Sequence, residues 1–327
     1  MIYLKKEGTV HSQAWKVSPK HRSGGKGTLP NLGSEPSPYR KFSQYLKDKF
    51  GCKVYKVSVD AGFDCPNRDG KLSKAGCIFC DNKAFSFNSR FSQKPLKKQI
   101  EDGIAFGKNR YAAEKFIIYF QANTNTYAPV CVLKEKYDTV KEFGDIAGIS
   151  IGTRPDCVND EILDLIASYA SDYDVWVEYG LQSIHKKSLE FLNRNHSYED
   201  FLDAVRKAKK RNIKICAHVI IGLPNETKDE ILQTAKELAR LKIDGVKIHP
   251  LYIVKGTSLE ALFRSSVYKP LELDEFVNLA AAFLENLSPD TVVQRIGADC
   301  PPEMLVEPSW ILEKERVLNM LDEKLRS

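Results

Sequence analysis

Cys65, Cys77 and Cys80 are spaced C-x11-C-x2-C on a single stretch of chain. Three thiolates on one loop can each hold one iron of a cubane cluster and leave the fourth iron open to another ligand. Gly70 and Gly76 let such a loop wrap, and Phe63 and Phe79 can keep water from it. The same residues suit two other chemistries. A zinc ion would need a fourth ligand, from Cys52 or a distant histidine. A thioredoxin-like CxxC would sit at a helix start in a smaller βαβ unit. Of the other five cysteines, Cys300 follows the last apolar strand; it reads as a buried, incidental thiol, with a reactive one the alternative.

A βα rhythm runs from residue 39 onward and positions this loop. Short apolar segments at 56–60, 116–121, 148–152, 175–180, 215–221, 245–249 and 291–295 are rich in β-branched and aromatic residues. Strands buried on both faces of a parallel sheet have that composition. Ser197-x-x-Asp200 and Thr227-x-x-Glu230 read as capping boxes, and Asn159 as a further N-cap. The expected fold is α/β: a partial (β/α)6-type parallel barrel with a seventh strand and a C-terminal helix, spanning 39–327. An open doubly wound sheet is the alternative. In either, functional side chains gather at the carboxyl ends of the strands.

Polar residues stand at those ends. The second strand runs into Gln121 and Asn123, whose carbonyls can accept from an ammonium. The third runs into Thr153, Arg154 and Asp156, facing the mouth or forming a plain Arg–Asp pair. The fourth brings Glu178, Gln182 and Ser183, followed by Arg194 and His196. Arg194 can meet a carboxylate bidentately; Glu178 reads equally as an ion-pair partner and as a ligand contact. His196 reads as part of a helix entry. After the fifth strand Gly222 permits close backbone approach, or simply feeds the Thr227 cap. The sixth and seventh bring His249, Tyr252, Lys255 and Arg295.

These motifs, in this order, resemble the radical S-adenosylmethionine (SAM) superfamily, and within it the YhcC-like branch related to the Elongator-type radical SAM domain. The run VSVDAGFDCPNRDG…GCIFC is similar to that branch's cluster loop. The segments GTRPD and E-x-G-x-Q-S…R-x-H are similar to its strand-end motifs. The resemblance implies a [4Fe–4S] cluster on the three cysteines. It implies SAM bound by Gln121, Asn123, Thr153, Arg154, Asp156, Glu178, Gln182, Ser183, Arg194 and Gly222, with Arg194 on the SAM carboxylate. The activity implied is reductive cleavage of SAM to a 5′-deoxyadenosyl radical that abstracts hydrogen from a substrate. His249, Tyr252, Lys255 and Arg295 are then left for substrate. The partners implied are a one-electron donor, such as flavodoxin or ferredoxin, and tRNA, for wobble-uridine side-chain modification. A small metabolite or a protein is the second substrate reading. A zinc-stabilised RNA-binding module without catalysis is a third reading, of a different class.

Charge does little to choose between them. The formal net charge is +6, but residues 1–40 hold seven Lys/Arg against Glu7 and Glu35, so the rest is nearly neutral. Residues 1–38, rich in Gly, Ser, Pro and Lys, read as a disordered basic extension. The basic run 206–211 reads as a solvated helix end, with RNA phosphate the alternative. No apolar run reaches the roughly 18–20 residues of a membrane span, and no secretory leader is visible, so a cytoplasmic protein without a membrane partner is expected.

Overall fold

The computed structural model describes residues 37–90 and 94–327. The extension expected at 1–38 therefore lies, but for its last two residues, outside the described residues.

All seven expected strands form, and they form one parallel sheet. They are β1 (Val54–Val59), β2 (Lys115–Phe120), β3 (Ile146–Thr153), β4 (Asp174–Gln182), β5 (Lys214–Ile221), β6 (Gly245–Pro250) and, after a short β7 (Ile253–Val254), β8 (Val292–Ile296). The order is β1-β2-β3-β4-β5-β6-β8, with every pairing parallel. Strand order follows chain order without reversal. A doubly wound sheet needs a switch point where that order reverses, so the sheet is the curled, half-barrel alternative, with β1 and β8 as its edges. A further strand, β9 (Leu305–Glu307), pairs antiparallel with β7. Two or three residues carry too little periodicity to be seen in sequence.

The helices start where their caps place them. Ser197 and Thr227 each close a capping box, onto Tyr198–Lys209 and Lys228–Arg240, and Asn159 accepts from the Ile162 amide. The C-terminal helix is Lys314–Arg326, preceded by Trp310 stacked on Phe276 at 5.2 Å.

The amino ends of the strands are plugged. Helix Phe42–Phe50 lays Tyr45 and Leu46 against Trp176 and Val292. Asp174, at the start of β4, accepts from Tyr45 Oη and Trp176 Nε1 at 2.9 Å each, and from Lys49 and Lys214. Burial alone would raise this carboxyl; the hydrogen bonds from Lys214, Lys49 and Trp176 outweigh it and hold it below the usual range. With that end filled, the opposite, carboxyl end is left for chemistry. Among the described residues, no helix is long and apolar enough to cross a membrane.

Candidate active site

A cavity of about 1250 Å³, counting its open mouth, lies at the carboxyl end of the sheet. The three cysteines line it together with Gln121, Asn123, Thr153, Arg154, Glu178, Gln182, Arg194, His249, Tyr252 and Arg295.

The cysteine loop is held in place by asparagines. Asn67 donates to the Asn193 carbonyl at 2.6 Å and accepts from Asn195 Nδ2 at 2.6 Å, while Asn193 Nδ2 donates to the Gly76 carbonyl at 2.6 Å. Asn193 and Asn195 sit at φ +52° and +51°, a left-handed backbone that asparagine tolerates better than most residues. On the other side, Asn123 donates to the Phe63 carbonyl at 2.8 Å and accepts from Asn82.

Two of the thiols face donors. Cys77 Sγ receives Arg194 Nη1 at 3.2 Å and Asn67 Nδ2 at 3.4 Å; Arg68 Nη1 lies 3.9 Å from Cys80 Sγ. Arg194 also donates through Nη2 to the Gly180 carbonyl at 2.7 Å and through Nε to His196 Nε2 at 3.1 Å. A guanidinium always donates, so that histidine nitrogen is the acceptor and His196 is neutral. Burial, with Arg194 and Arg154 nearby, pushes it down to about 2.

Arg154 is differently placed. Its Nε and Nη2 grip Asp156 at 2.9 and 2.8 Å, and Nη2 also reaches the Asn195 carbonyl. It is 3% exposed, and its Nη1 has no hydrogen-bond partner. A buried donor without a partner costs stability.

Deeper in the barrel lies a charged layer that the sequence reading missed. Glu178, with its side chain fully buried, accepts on Oε1 from Lys56 (2.5 Å) and Ser150, and on Oε2 from His218 Nε2 (2.7 Å) and Lys247. These residues come from β1, β3, β4, β5 and β6. Lys56 reaches Gln294 of β8 at 3.0 Å, and both ammoniums lie over the Tyr119 ring, at 4.3 and 4.1 Å. Glu178 and Lys247 are buried, Lys56 and His218 are half-buried, and each has partners, as burial of charge requires. The clue in the sequence was an ionisable residue inside an otherwise apolar strand, such as Lys56 in VYKVSV, His218 in KICAHVII and Lys247 in GVKIHP.

Burial and the Lys247 ammonium lower His218 to about 4, against the pull of Glu178. The unfolded chain takes up this proton first, from its ordinary 6.5. The stability it contributes is therefore full above pH 6.5 and is lost as the pH falls toward 4. The urea midpoint is expected to drop between pH 7 and pH 5, with buried His196 and His249 contributing in the same direction, and His218→Asn to make that slope shallower. An equally steep slope in the variant would remove His218 as its source.

Four of the sequence candidates stay out of the cavity lining. Asp156 lies behind Arg154, which it holds. Ser183 turns to Glu226, and Lys255 bonds the Glu303 carbonyl at 2.5 Å. Gly222, at φ +93°, packs on Leu271, which a Cβ would meet at 2.8 Å. Cys300 is buried and its thiol pushed up to about 11, as a packed thiol should be.

The donor set fits a cluster better than a single zinc. Tetrahedral zinc with ~2.3 Å bonds draws its sulfurs to within about 4 Å of one another. Among the described residues, the one trio of ligand atoms packed within 4.8 Å is Glu178, Cys216 and His218; the loop cysteines spread wider. Cations already occupy Glu178 in that trio. The partnerless Arg154 Nη1, beside the three thiols, suits the carboxylate that an amino-acid cofactor would bring.

A parallel half-barrel with three clustered cysteines at its carboxyl mouth defines a radical SAM protein by architecture. The sequence agrees: residues 65–238 match the Radical SAM superfamily model and residues 243–327 the Radical SAM C-terminal domain. The chain belongs to the radical SAM superfamily. It is 34% identical to protein YhcC of Escherichia coli over 85% of this chain and 91% of that one. It is 30% identical to a tRNA uridine(34) acetyltransferase of Methanocaldococcus jannaschii, over 49% of this chain and 29% of that protein. In structure it is similar to the archaeal Elp3 of Methanocaldococcus infernus, with TM-score 0.60, 20% identity, and coverage of 84% of this chain and 63% of that one.

Proposed function

We propose that this enzyme holds a [4Fe–4S] cluster on Cys65, Cys77 and Cys80 and uses it to cleave SAM reductively, and that its substrate is a tRNA wobble uridine. The observation that carries the first part is the three-thiol mouth, lined also by Arg154, whose Nη1 alone among its nitrogens has no hydrogen-bond partner. The cluster, when bound, supplies the electron that cleaves the sulfonium. The chain's own work is to bind, orient and exclude water. Arg154 Nη1 takes the SAM carboxylate, because Arg194 has each nitrogen engaged. Gln121, Asn123, Thr153 and Gln182 line the rest of the SAM site, and a flavodoxin or ferredoxin donates the electron. The tRNA part is supported by the likeness to the M. jannaschii tRNA uridine(34) acetyltransferase, within the stretch the two share. Comparing modified nucleosides of tRNA from a deletion strain and its parent tests it; unchanged tRNA would turn the search to small metabolites and proteins.

Arg194 then has a different task. Hydrogen bonds to cluster sulfurs raise a cluster's reduction potential. Arg194→Met is expected to lower the midpoint potential by on the order of tens of millivolts at unchanged iron content, and Asn67→Leu to lower it too while also loosening the loop and costing some iron. A redox titration followed by EPR measures this, and an unmoved potential in both variants would contradict the role.

A further inference from the structure

The cavity runs past the strand ends to the charged layer, and the cofactor reading leaves that depth without work. Glu178, His218 and Lys247 line its floor; His249, Tyr252, Arg295 and Asp299 line the side formed by β6 and β8. The floor lies three or four residues below the strand ends, about 10 Å at strand rise. We propose that this floor and side wall are a recognition subsite for an oxyanion, carboxylate or phosphate, of a small co-substrate that binds in addition to the tRNA, held by Lys247 and Arg295. The proposal rests on the radical SAM reading only in placing SAM at the mouth.

The first argument is charge. Each carboxylate here is shared by two cations: Glu178 by Lys56 and Lys247, and Asp299 by Arg295 and Lys314. Neutral His218 and His249 add no charge to either set. On the cavity lining itself, Arg68, Arg154, Arg194, Lys247 and Arg295 stand against Glu178 and Asp299, and an incoming anion offsets that excess of cations. Burial lowers Lys247 to about 8, which still leaves it charged at pH 7.

The second argument is the arrangement of donors. Arg295 spends one terminal nitrogen on Asp299, leaving the rest of its fork. Tyr252 Oη is held only loosely, 3.5 Å from the Asp299 carbonyl, and can turn to an anion. His249 Nδ1 donates to the Gly297 carbonyl at 2.8 Å, which leaves Nε2 as an acceptor for a neighbouring hydroxyl. The third argument is division of labour. The carboxylate of SAM already has Arg154 at the mouth, so these cations are free for a second anion.

The test is anaerobic calorimetry of the reconstituted protein at low salt with two probes, succinate and inorganic phosphate, each with and without saturating SAM. Saturable binding of at least one anion is expected, and it should persist with SAM. It should weaken about tenfold or more in Lys247→Gln and in Arg295→Gln, the loss of a charge-assisted hydrogen bond. The surface variant Lys255→Gln should match the parent. If Lys247→Gln does not fold, Arg295→Gln carries the comparison. The subsite is overturned if neither anion saturates, if the folded variants bind as the parent does, or if SAM displaces the probe. SAM cleavage by the parent separates the two readings. Cleavage without anion binding fails the subsite alone, and anion binding through Lys247 without cleavage fails the radical reading alone.

Discussion

Cys77→Ala is expected to take bound iron from about four per chain to near zero and to abolish SAM cleavage. Cys77 is the most enclosed of the three loop thiols, 8% exposed, and two donors already point at its sulfur. A cubane with one open iron needs all three thiolates. Among the described thiols, Cys157 lies near Cys65 but behind the cavity wall, where it does not line the site. Cys131 is exposed on the helix Val130–Asp138, Cys216 is locked beside Glu178, and none of the remaining cysteines lines the cavity. Iron analysis and the visible spectrum after anaerobic reconstitution check it, with Cys131→Ala as the control that keeps its iron. A Cys77→Ala protein that holds a full cluster would refute the ligand assignment.

Glu178→Ala is expected to destabilise the fold by about 3–5 kcal/mol, the usual cost of removing one partner from a buried ion pair. The change leaves Lys56 and Lys247 without their carboxylate, with the Phe42 and Tyr119 rings, Gln294 and the cavity as what remains to them. It also removes the group that joins β1, β3, β5 and β6 at one level. Urea denaturation measures the loss. Changing Lys56 and Lys247 to Met in the Glu178→Ala background should recover most of it, because the cost belongs to unpaired charge. If the single variant loses less than about 1 kcal/mol, the layer is not the strut described here.

Most of the architecture was readable because strands buried on both faces are written as apolar runs. All seven appeared within two residues of their observed ends, and each cap was named by a side chain that makes its bond locally. The cysteine loop was readable for the same reason, since its ligands lie within sixteen residues of one another. What escaped reading is what the barrel assembles at long range. Glu178 reads in sequence equally as an ion-pair partner and as a ligand contact, but its partners come from residues 56, 218 and 247 and meet only when the sheet curls. Arg194 matched its motif; its bond to Cys77, 117 positions away in sequence, depends on the asparagine clasp. The unpaired nitrogen of Arg154 became visible only once its other contacts were known.

The most direct test of the central claim is product analysis after mixing the reconstituted, dithionite-reduced protein with SAM under anaerobic conditions. The account predicts 5′-deoxyadenosine and methionine in equal amounts from protein carrying about four irons per chain, and none from protein loaded with zinc alone. Fully iron-loaded protein that leaves SAM intact, or a chain that folds and binds one zinc in place of iron, would contradict it.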